Sequence, residues 1–458
     1  MPPNTPGVPN GGVSFWYTQI GLPEPGPGLG GDEEHDVCIV GGGLTGLWTA
    51  YYLKRAEPGL RVVVLEAEFV GYGASGRNGG WLSAELPGSL ARYARGPHGQ
   101  EGADRLAAGL RASVDEVIGV CRDEGIEADI VRNGVVFVAR TPAQLSRLQD
   151  EPPGAPARRL TGAEVTERIA VDGALGGYVD PDCARVQPAR LVQGLATVVR
   201  RMGVTVHEGT RVTAIGPGIA RTERGTVRAA QVLRCLEGYT AGLAGQRRTW
   251  LPMNSAIVVT EPLTDRQWDA VGWRDSELLG DLAHAYCYAQ RTADGRIALG
   301  GRGIPYRFGS RTDVDGRTQE WTIASLRRTL DDLFPAVAEV PLAQAWCGVL
   351  GVPRDWCASV GLDPATGLGW AGGYVGSGLT ATNLAGRTLR DLVLGEPSDL
   401  TTLAWTNHRV RRWEPEPLRW LGVRAMYGLY RAADRRETTH RLERTSRIGR
   451  FADRLSGR

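Results

Sequence analysis

Asp36-Val37-Cys38-Ile39-Val40-Gly41-Gly42-Gly43-Leu44-Thr45-Gly46 is the stretch that decides how this chain folds. A short apolar run stops at glycines spaced G-x-G-x-x-G, and a helical pattern follows through Leu47, Ala50, Tyr51, Leu53 and Lys54. Twenty residues past Gly46, the apolar run Val62-Val63-Val64-Leu65 ends in Glu66. Strand, glycine turn, helix, strand and terminal acid together are the geometry of a dinucleotide site. Gly41 permits the tight strand-to-helix turn, Gly43 lets the backbone approach a pyrophosphate, and Gly46 lets the helix pack on the strand. The first helical turn, Leu44 and Thr45 included, offers free N–H groups and a positive dipole end to the phosphates. Glu66, with Ala67 beyond it at the tip of the next strand, can accept hydrogen bonds from the ribose hydroxyls.

Composition sets the remaining bounds. The chain has 458 residues, enough for two interleaved domains and a sizeable core. A formal charge of +2 does not point to nucleic acid or to a membrane surface. Lys54 is the only lysine; the other basic side chains are arginines and a few histidines. Seven scattered cysteines contain no C-x-x-C pair, and the histidines lack metal-site spacing, so neither a disulfide framework nor a metal centre is expected. There is no signal-peptide pattern and no run of about 18 apolar residues. The expectation is a soluble protein of a reducing cytoplasm, without nucleic-acid or integral-membrane partners.

Residues 1–35 are rich in Pro and Gly and read as an irregular leader carrying the aromatic patch Phe15-Trp16-Tyr17. Helical periodicity is read at 100–125, at Leu191–Met202 and from Leu379 to about Leu394. Residues 250–345 look antiparallel, with strands at Ser255–Thr260, His284–Arg291 and Arg296–Gly300, the last two joined by the turn Ala293-Asp294-Gly295. The tail from 405 onward is Arg-rich (Arg409, Arg411, Arg412, Arg419, Arg424, Arg431, Arg435, Arg436) and reads as helix. Acids are interleaved with these arginines, and Trp413, Trp420, Leu421, Met426, Tyr427 and Leu429 supply an apolar side. A helix packed on its own protein is expected there.

Three motifs occur in order: the opening fingerprint, the run Gly73-Ala74-Ser75-Gly76-Arg77-Asn78-Gly79-Gly80, and the helix start Gly373-Tyr374-Val375-Gly376-Ser377-Gly378-Leu379. Over residues 36–400 the chain resembles the D-amino-acid-oxidase-like flavoprotein family, which includes glycine, sarcosine and γ-glutamylputrescine oxidases. The resemblance implies an α/β fold with a discontinuous, glutathione-reductase-type Rossmann FAD domain (36–90, 155–248 and 344–396). An antiparallel β-sheet substrate or cap domain (91–154 and 249–343) and a helical tail (397–458) complete it. It implies FAD contacts from Gly41, Gly43, Leu44, Thr45, Gly46, Glu66 and Ala67, and from Ser75, Arg77, Asn78, Gly79 and Gly80. Val212 would meet the adenine edge, and Gly376, Gly378 and Leu379 would aim a second helix mouth at the flavin's pyrimidine end, where a positive dipole stabilises the reduced form. Bottom-up, Arg77 can pair with a phosphate, and the bare backbone at Gly79-Gly80 would let a flat ring lie close.

Departures from the family narrow the chemistry. Amino-acid-oxidising members have a W-x-G-L-R-P run whose arginine clamps the substrate carboxylate. Here the run is Trp346-Cys347-Gly348-Val349-Leu350-Gly351, with Leu350 at the clamp position. That favours an amine without a carboxylate beside the reacting carbon, unless Arg291 or Arg302 clamps from another direction. Cys347 falls near the position at which sarcosine oxidase ties its flavin covalently; non-covalent FAD is the expectation, with attachment through Cys347 as the alternative. Lys54 lies on the first helix, where a solvent-facing side chain is expected, so the chain offers no lysine to promote reaction with oxygen.

The expected activity is FAD-dependent amine oxidation: hydride transfer to flavin N5 gives an imine that hydrolyses to an aldehyde or ketone, and O2 reoxidises the flavin with release of H2O2. The alternative is a dehydrogenase with a non-oxygen acceptor; a non-catalytic flavin binder and an NAD enzyme are weaker readings. Tyr288 is the expected substrate contact, with His284 on the same strand face through period-two alternation and Trp81 as a wall.

Overall fold

In the computed structural model, which describes residues 7–150, 156–301, 306–312 and 315–456, the fingerprint lies where strand passes into helix. Glu33–Val40 is a strand whose last four residues are buried, and Leu44–Ala56 is the helix, with Gly43 as its N-cap. Lys54 and Arg55 occupy its last turn, where cations complement the dipole. The strand pairs in parallel with Val62–Leu65 on one side and with Thr226–Arg234 on the other. Thr205–His207 and Leu368–Gly372 extend the sheet in parallel at its two ends, and Ser359–Asp363 adds an antiparallel edge. Apolar strand residues (Val37, Ile39, Val62, Val64) form one core with the helices Leu44–Ala56, Gly99–Asp123, Pro188–Arg201 and Gly378–Leu394. Helix Gly378–Leu394 crosses the fingerprint helix at very short range: a β-carbon on Gly386 would stand 2.7 Å from the Trp48 β-carbon.

A second sheet has the order Leu342–Val352, Leu251–Thr260, Ile297–Gly301, Cys287–Arg291, Leu278–Asp281, Val135–Ala139, Gly176–Asp180, Arg158–Thr161. All its pairings are antiparallel except that of Leu278–Asp281 with Val135–Ala139. Helix Glu320–Leu333 covers one face through Ile323, Leu326, Leu330 and Leu333. The other face looks into a cleft against the nucleotide-binding sheet.

Several expectations shift in detail. The helices read at 100–125, Leu191–Met202 and Leu379–Leu394 are Gly99–Asp123, Pro188–Arg201 and Gly378–Leu394. Strands Arg158–Thr161, Gly176–Asp180 and Leu342–Val352 hydrogen-bond within the second sheet, although all or most of each falls in segments assigned from sequence to the FAD domain. The cap therefore draws on more of the chain than the expected 91–154 and 249–343. Among the described residues from 405 onward, the tail is helical at Leu418–Thr439 and Arg447–Ser456; the residues just before, with Pro415 and Pro417, run without helix. Trp413, Val423, Tyr427 and Tyr430 are buried against the body, whereas Leu421 is exposed.

The leader is more than irregular. Phe15–Thr18 is a short helix whose Phe15, Trp16 and Tyr17 are buried with Trp346 and Ile257. Ser14 Oγ donates to Gly76 O at 2.7 Å and Trp16 Nε1 to Asn78 O at 2.8 Å, so the leader grips the Gly73–Gly80 run directly.

Candidate active site

The cleft starts at the fingerprint. Gly41 has φ +115°, and a β-carbon there would meet Cys235 O at 2.5 Å, so only glycine makes this turn. Leu44 N donates to Ser75 Oγ at 2.9 Å, and a β-carbon on Gly43 would stand 2.9 Å from the same oxygen. The first helical turn thereby opens bare backbone to the cleft, lined by Gly41, Gly43, Leu44 and Thr45. Glu66 accepts from Gly42 N at 2.8 Å and Glu68 N at 3.0 Å, and burial pushes its carboxyl above the ordinary range. Ala67 and Val212 line the same end, closed by Arg211 on Glu68 at 2.7 Å.

Ser75, Arg77, Asn78 and Gly79 line the middle. Asn78 folds the run on itself: Nδ2 donates to Ser75 O at 2.9 Å and Oδ1 accepts from Gly80 N at 2.8 Å. Arg77 is fully buried and donates to Tyr72 O at 2.6 Å and Cys347 O at 3.3 Å, tying the run to the cap strand Leu342–Val352. The guanidinium read as a phosphate partner is thus engaged by backbone carbonyls. Trp81, Phe137, Ser255, Tyr286, Tyr288 and Leu350 line the cap end.

Gly376, Gly378 and Leu379 line the cleft at the start of the second helix. Two further residues, of which no motif marked Glu237, frame this mouth. Glu237, in the left-handed region at φ +46°, accepts from Gly373 N at 2.6 Å and Tyr374 N at 3.2 Å; burial outweighs these bonds and pushes its carboxyl up to about 7. Tyr374 OH lies 3.2 Å from Thr45 Oγ1, so one side chain joins the two helix mouths.

A family model described as FAD dependent oxidoreductase matches residues 36–392. The chain belongs to this family. It is 29% identical over 385 residues to gamma-glutamylputrescine oxidoreductase of Escherichia coli (strain K12), covering 81% of this chain and 87% of that protein. It is 25% identical over 380 residues to glycine oxidase of Bacillus licheniformis, covering 80% and 94%. Its fold matches glycine oxidase from Geobacillus kaustophilus with a TM-score of 0.68 at 22% identity, covering 82% of this chain and all of that one. The chain is an FAD-dependent oxidoreductase acting on amines or amino acids. The residues present fit the cofactor: a glycine mouth that admits no β-carbon, a carboxylate at the strand tip, and a second helix start on the same cleft.

Against this family frame, some expected site residues fall elsewhere. Gly46 packs inward, where its β-carbon would stand 2.1 Å from Gly41 O. Gly80 is not among the cleft residues; the space before it holds Gln290 and the Val186 carbonyl, and Tyr288 takes the space before Gly79. Cap side chains, Tyr288 and Gln290, thus fill the space before both glycines, while Gly79 still lines the cleft. His284 is likewise not a cleft residue, because the strand begins only at Cys287 and the chain before it turns toward the tail. There its Nε2 lies 3.1 Å from Glu437 Oε1 and its ring stacks on Tyr430 at 5.6 Å, which removes it from catalysis. Cys347 Sγ donates to Arg317 O at 3.2 Å and packs in the cap core, away from the cleft lining. Arg291 donates to Trp273 O at 2.6 Å and lies over Trp268, so it does not clamp a substrate; Arg302 lies outside the described residues. Lys54 is buried rather than solvent-facing, with Nζ on Leu60 O at 3.0 Å. No described helix is long and apolar enough to cross a membrane.

Proposed function

We propose that this chain oxidises amines that carry no carboxylate on the reacting carbon, with O2 as the electron acceptor. The observation that carries this reading is Leu350. It lines the cap end where a carboxylate clamp would stand, and the two arginines among the described lining residues are engaged elsewhere, Arg77 on carbonyls and Arg211 on Glu68. A carboxylate placed against Leu350 would lose hydration without gaining a partner. The name and coverage of the Escherichia coli relative support an amine substrate.

FAD bound in the cleft supplies the two-electron acceptor, turning the amine into an imine that water hydrolyses, with O2 reduced to H2O2. The chain's own residues position and enclose. Thr45 and the Gly378 helix start present N–H groups to anionic parts of the cofactor, while the Leu44 N–H is held by Ser75 Oγ. Trp81, Phe137, Ile257 and Leu350 exclude water at the cap end, which favours the neutral, reactive form of the amine. Tyr288, with its hydroxyl 3.3 Å from Ser255 Oγ, presents a donor and acceptor to the substrate nitrogen.

An anaerobic panel of diamines, monoamines, N-methyl amines and amino acids, scored by loss of flavin absorbance, tests the reading. Carboxylate-free amines should bleach the flavin fastest, and rapid bleaching by a simple α-amino acid overturns the proposal. The buried position of Lys54 favours one other acceptor scheme, a dehydrogenase passing electrons to a quinone or carrier protein. Reoxidation in air-saturated buffer slower than turnover would select it.

A further inference from the structure

Four carboxylates line the cleft among the described residues: Glu66, Glu68, Glu85 and Glu237. Three have structural duties. Glu66 holds the strand-tip turn, Glu68 pairs with Arg211, and Glu237 receives the backbone before the second helix. Glu85 differs in its surroundings. It follows the short strand Trp81–Ser83 and shares the cleft lining with Trp81, Phe137, Tyr286 and Tyr288. Its Oε2 accepts from Ser377 Oγ at 3.1 Å, which places the carboxylate between the cap and the second helix mouth.

The rings beside it are held as a group. Trp81 meets Phe137 edge-on at 6.0 Å and Tyr288 at 5.9 Å, while Phe137 stacks on Tyr178 at 4.9 Å. Burial first, and the charge of Glu85 after it, push the Tyr178 hydroxyl above its ordinary range, so the carboxylate lies within electrostatic reach of this stack. A carboxylate and aromatic rings on the wall of one cleft are the groups that recognise an organic cation, the carboxylate supplying charge and the rings their polarisable surface.

We propose that Glu85, with Trp81 and Phe137, forms a subsite for a second positive charge, so that the preferred substrates are diamines or longer polyamines. One nitrogen is oxidised and another is held as an ammonium ion at Glu85. The proposal rests on the amine reading above and adds to it which amines are chosen.

The test uses the FAD-loaded enzyme. Anaerobic bleaching by putrescine, n-butylamine and 4-aminobutanoate compares a far-end ammonium, methyl and carboxylate on the same carbon spacing. Putrescine should reach half-maximal reduction at a concentration about tenfold or more below butylamine, with 4-aminobutanoate the poorest. Glu85→Gln should erase most of that preference, Glu85→Asp should keep part of it, and Glu85→Arg should turn it toward 4-aminobutanoate. Glu85 is exposed, so these variants keep the fold. A readout without turnover is the shift of the flavin spectrum by 1,4-bis(trimethylammonio)butane, which should saturate in the parent and weaken at least about tenfold in Glu85→Gln. Amines that bleach the flavin with no diamine preference, or a preference and spectral shift that survive Glu85→Gln, overturn the subsite. If no amine bleaches the flavin, the amine reading fails and the dication shift alone decides the subsite: a shift lost in Glu85→Gln keeps it within a different activity, and a shift that survives Glu85→Gln removes it.

Discussion

The ring of Tyr288 lies against the bare backbone of Gly79, where an added β-carbon would stand 2.5 Å from its Cε2. The same ring leaves no room on Gly300, whose β-carbon would fall 2.2 Å from Cζ. Tyr288 is thus a tenon set between two glycines, one on the flavin run and one on the neighbouring cap strand. The contact fixes the height of the cap over the middle of the cleft.

Gly79→Ala therefore moves Tyr288 while leaving the fingerprint intact. Flavin content should stay near that of the parent, while the anaerobic reduction rate falls by about tenfold to a hundredfold, as expected when a positioning group shifts by an ångström. Stopped-flow absorbance of the parent and variant, with flavin content matched, checks this.

Gly46→Ala acts at the other end. With Gly41 O only 2.1 Å from the new β-carbon, the helix must separate from the strand, at a cost of about 1–3 kcal/mol from overpacking. The expected result is a lower melting temperature together with loss of yellow colour, read by calorimetry and by the ratio of flavin to protein absorbance.

Leu350→Arg should install the missing clamp. Turnover of an α-amino acid such as glycine should rise by about tenfold or more through a charge-assisted bidentate contact, while carboxylate-free amines lose activity. Peroxide release assayed on both substrate classes decides it.

Cys347 offers no sulfur to the cleft, so precipitation of the holoenzyme with acid should release all of the FAD into the supernatant. Cys347→Ala should keep its flavin through purification. A pellet that stays yellow would contradict the packing described for this side chain.

Acid should loosen the tail first. Burial raises the Glu437 carboxyl, but hydrogen bonds from His284, Arg147 and the Ser446 N–H outweigh it and hold it at about 2, against an ordinary 4.5. A carboxyl held below its unfolded value adds stability that is present above pH 4.5 and is lost as pH falls toward 2. Amide exchange over Leu418–Thr439 should accelerate in that window before exchange in the Glu33–Val40 strand does. Glu437→Gln should show the faster exchange already at neutral pH, with little further change on acidification.

The parts of the site legible in the sequence are those in which chemistry and chain order coincide. The glycines at 41, 43 and 46, the acid at 66 and the helix start at 378 each carry their meaning in nearby sequence, the acid through the fingerprint that ends twenty residues before it. Glu237 carries none: its contact with Gly373 spans 136 residues, and nothing near it marks a left-handed glutamate as a receiver of backbone N–H groups. Tyr374 sits inside a recognised motif, yet its bond to Thr45 is visible only once two helices are placed side by side. His284 misled because alternation was carried three residues past the real start of the strand. The carbonyl partners of Arg77 are not legible, because a guanidinium suits a phosphate and a carbonyl alike and Cys347 O lies 270 residues away in the chain.

The order of the nucleotide-binding sheet has a bearing on biosynthesis. Strand Glu33–Val40 leaves the ribosome early, yet its partner Thr226–Arg234 and the Gly378 mouth arrive hundreds of residues later. The Trp16 clasp on Asn78 is completed by Trp346, whose Nε1 donates to Arg77 O at 2.9 Å. A nascent chain must hold the sheet around its first βαβ unit unfinished until most of translation is over. The cleft is complete only once Gly378 has been made, and a chain truncated before it by a late stop codon should emerge colourless, however intact its opening motif.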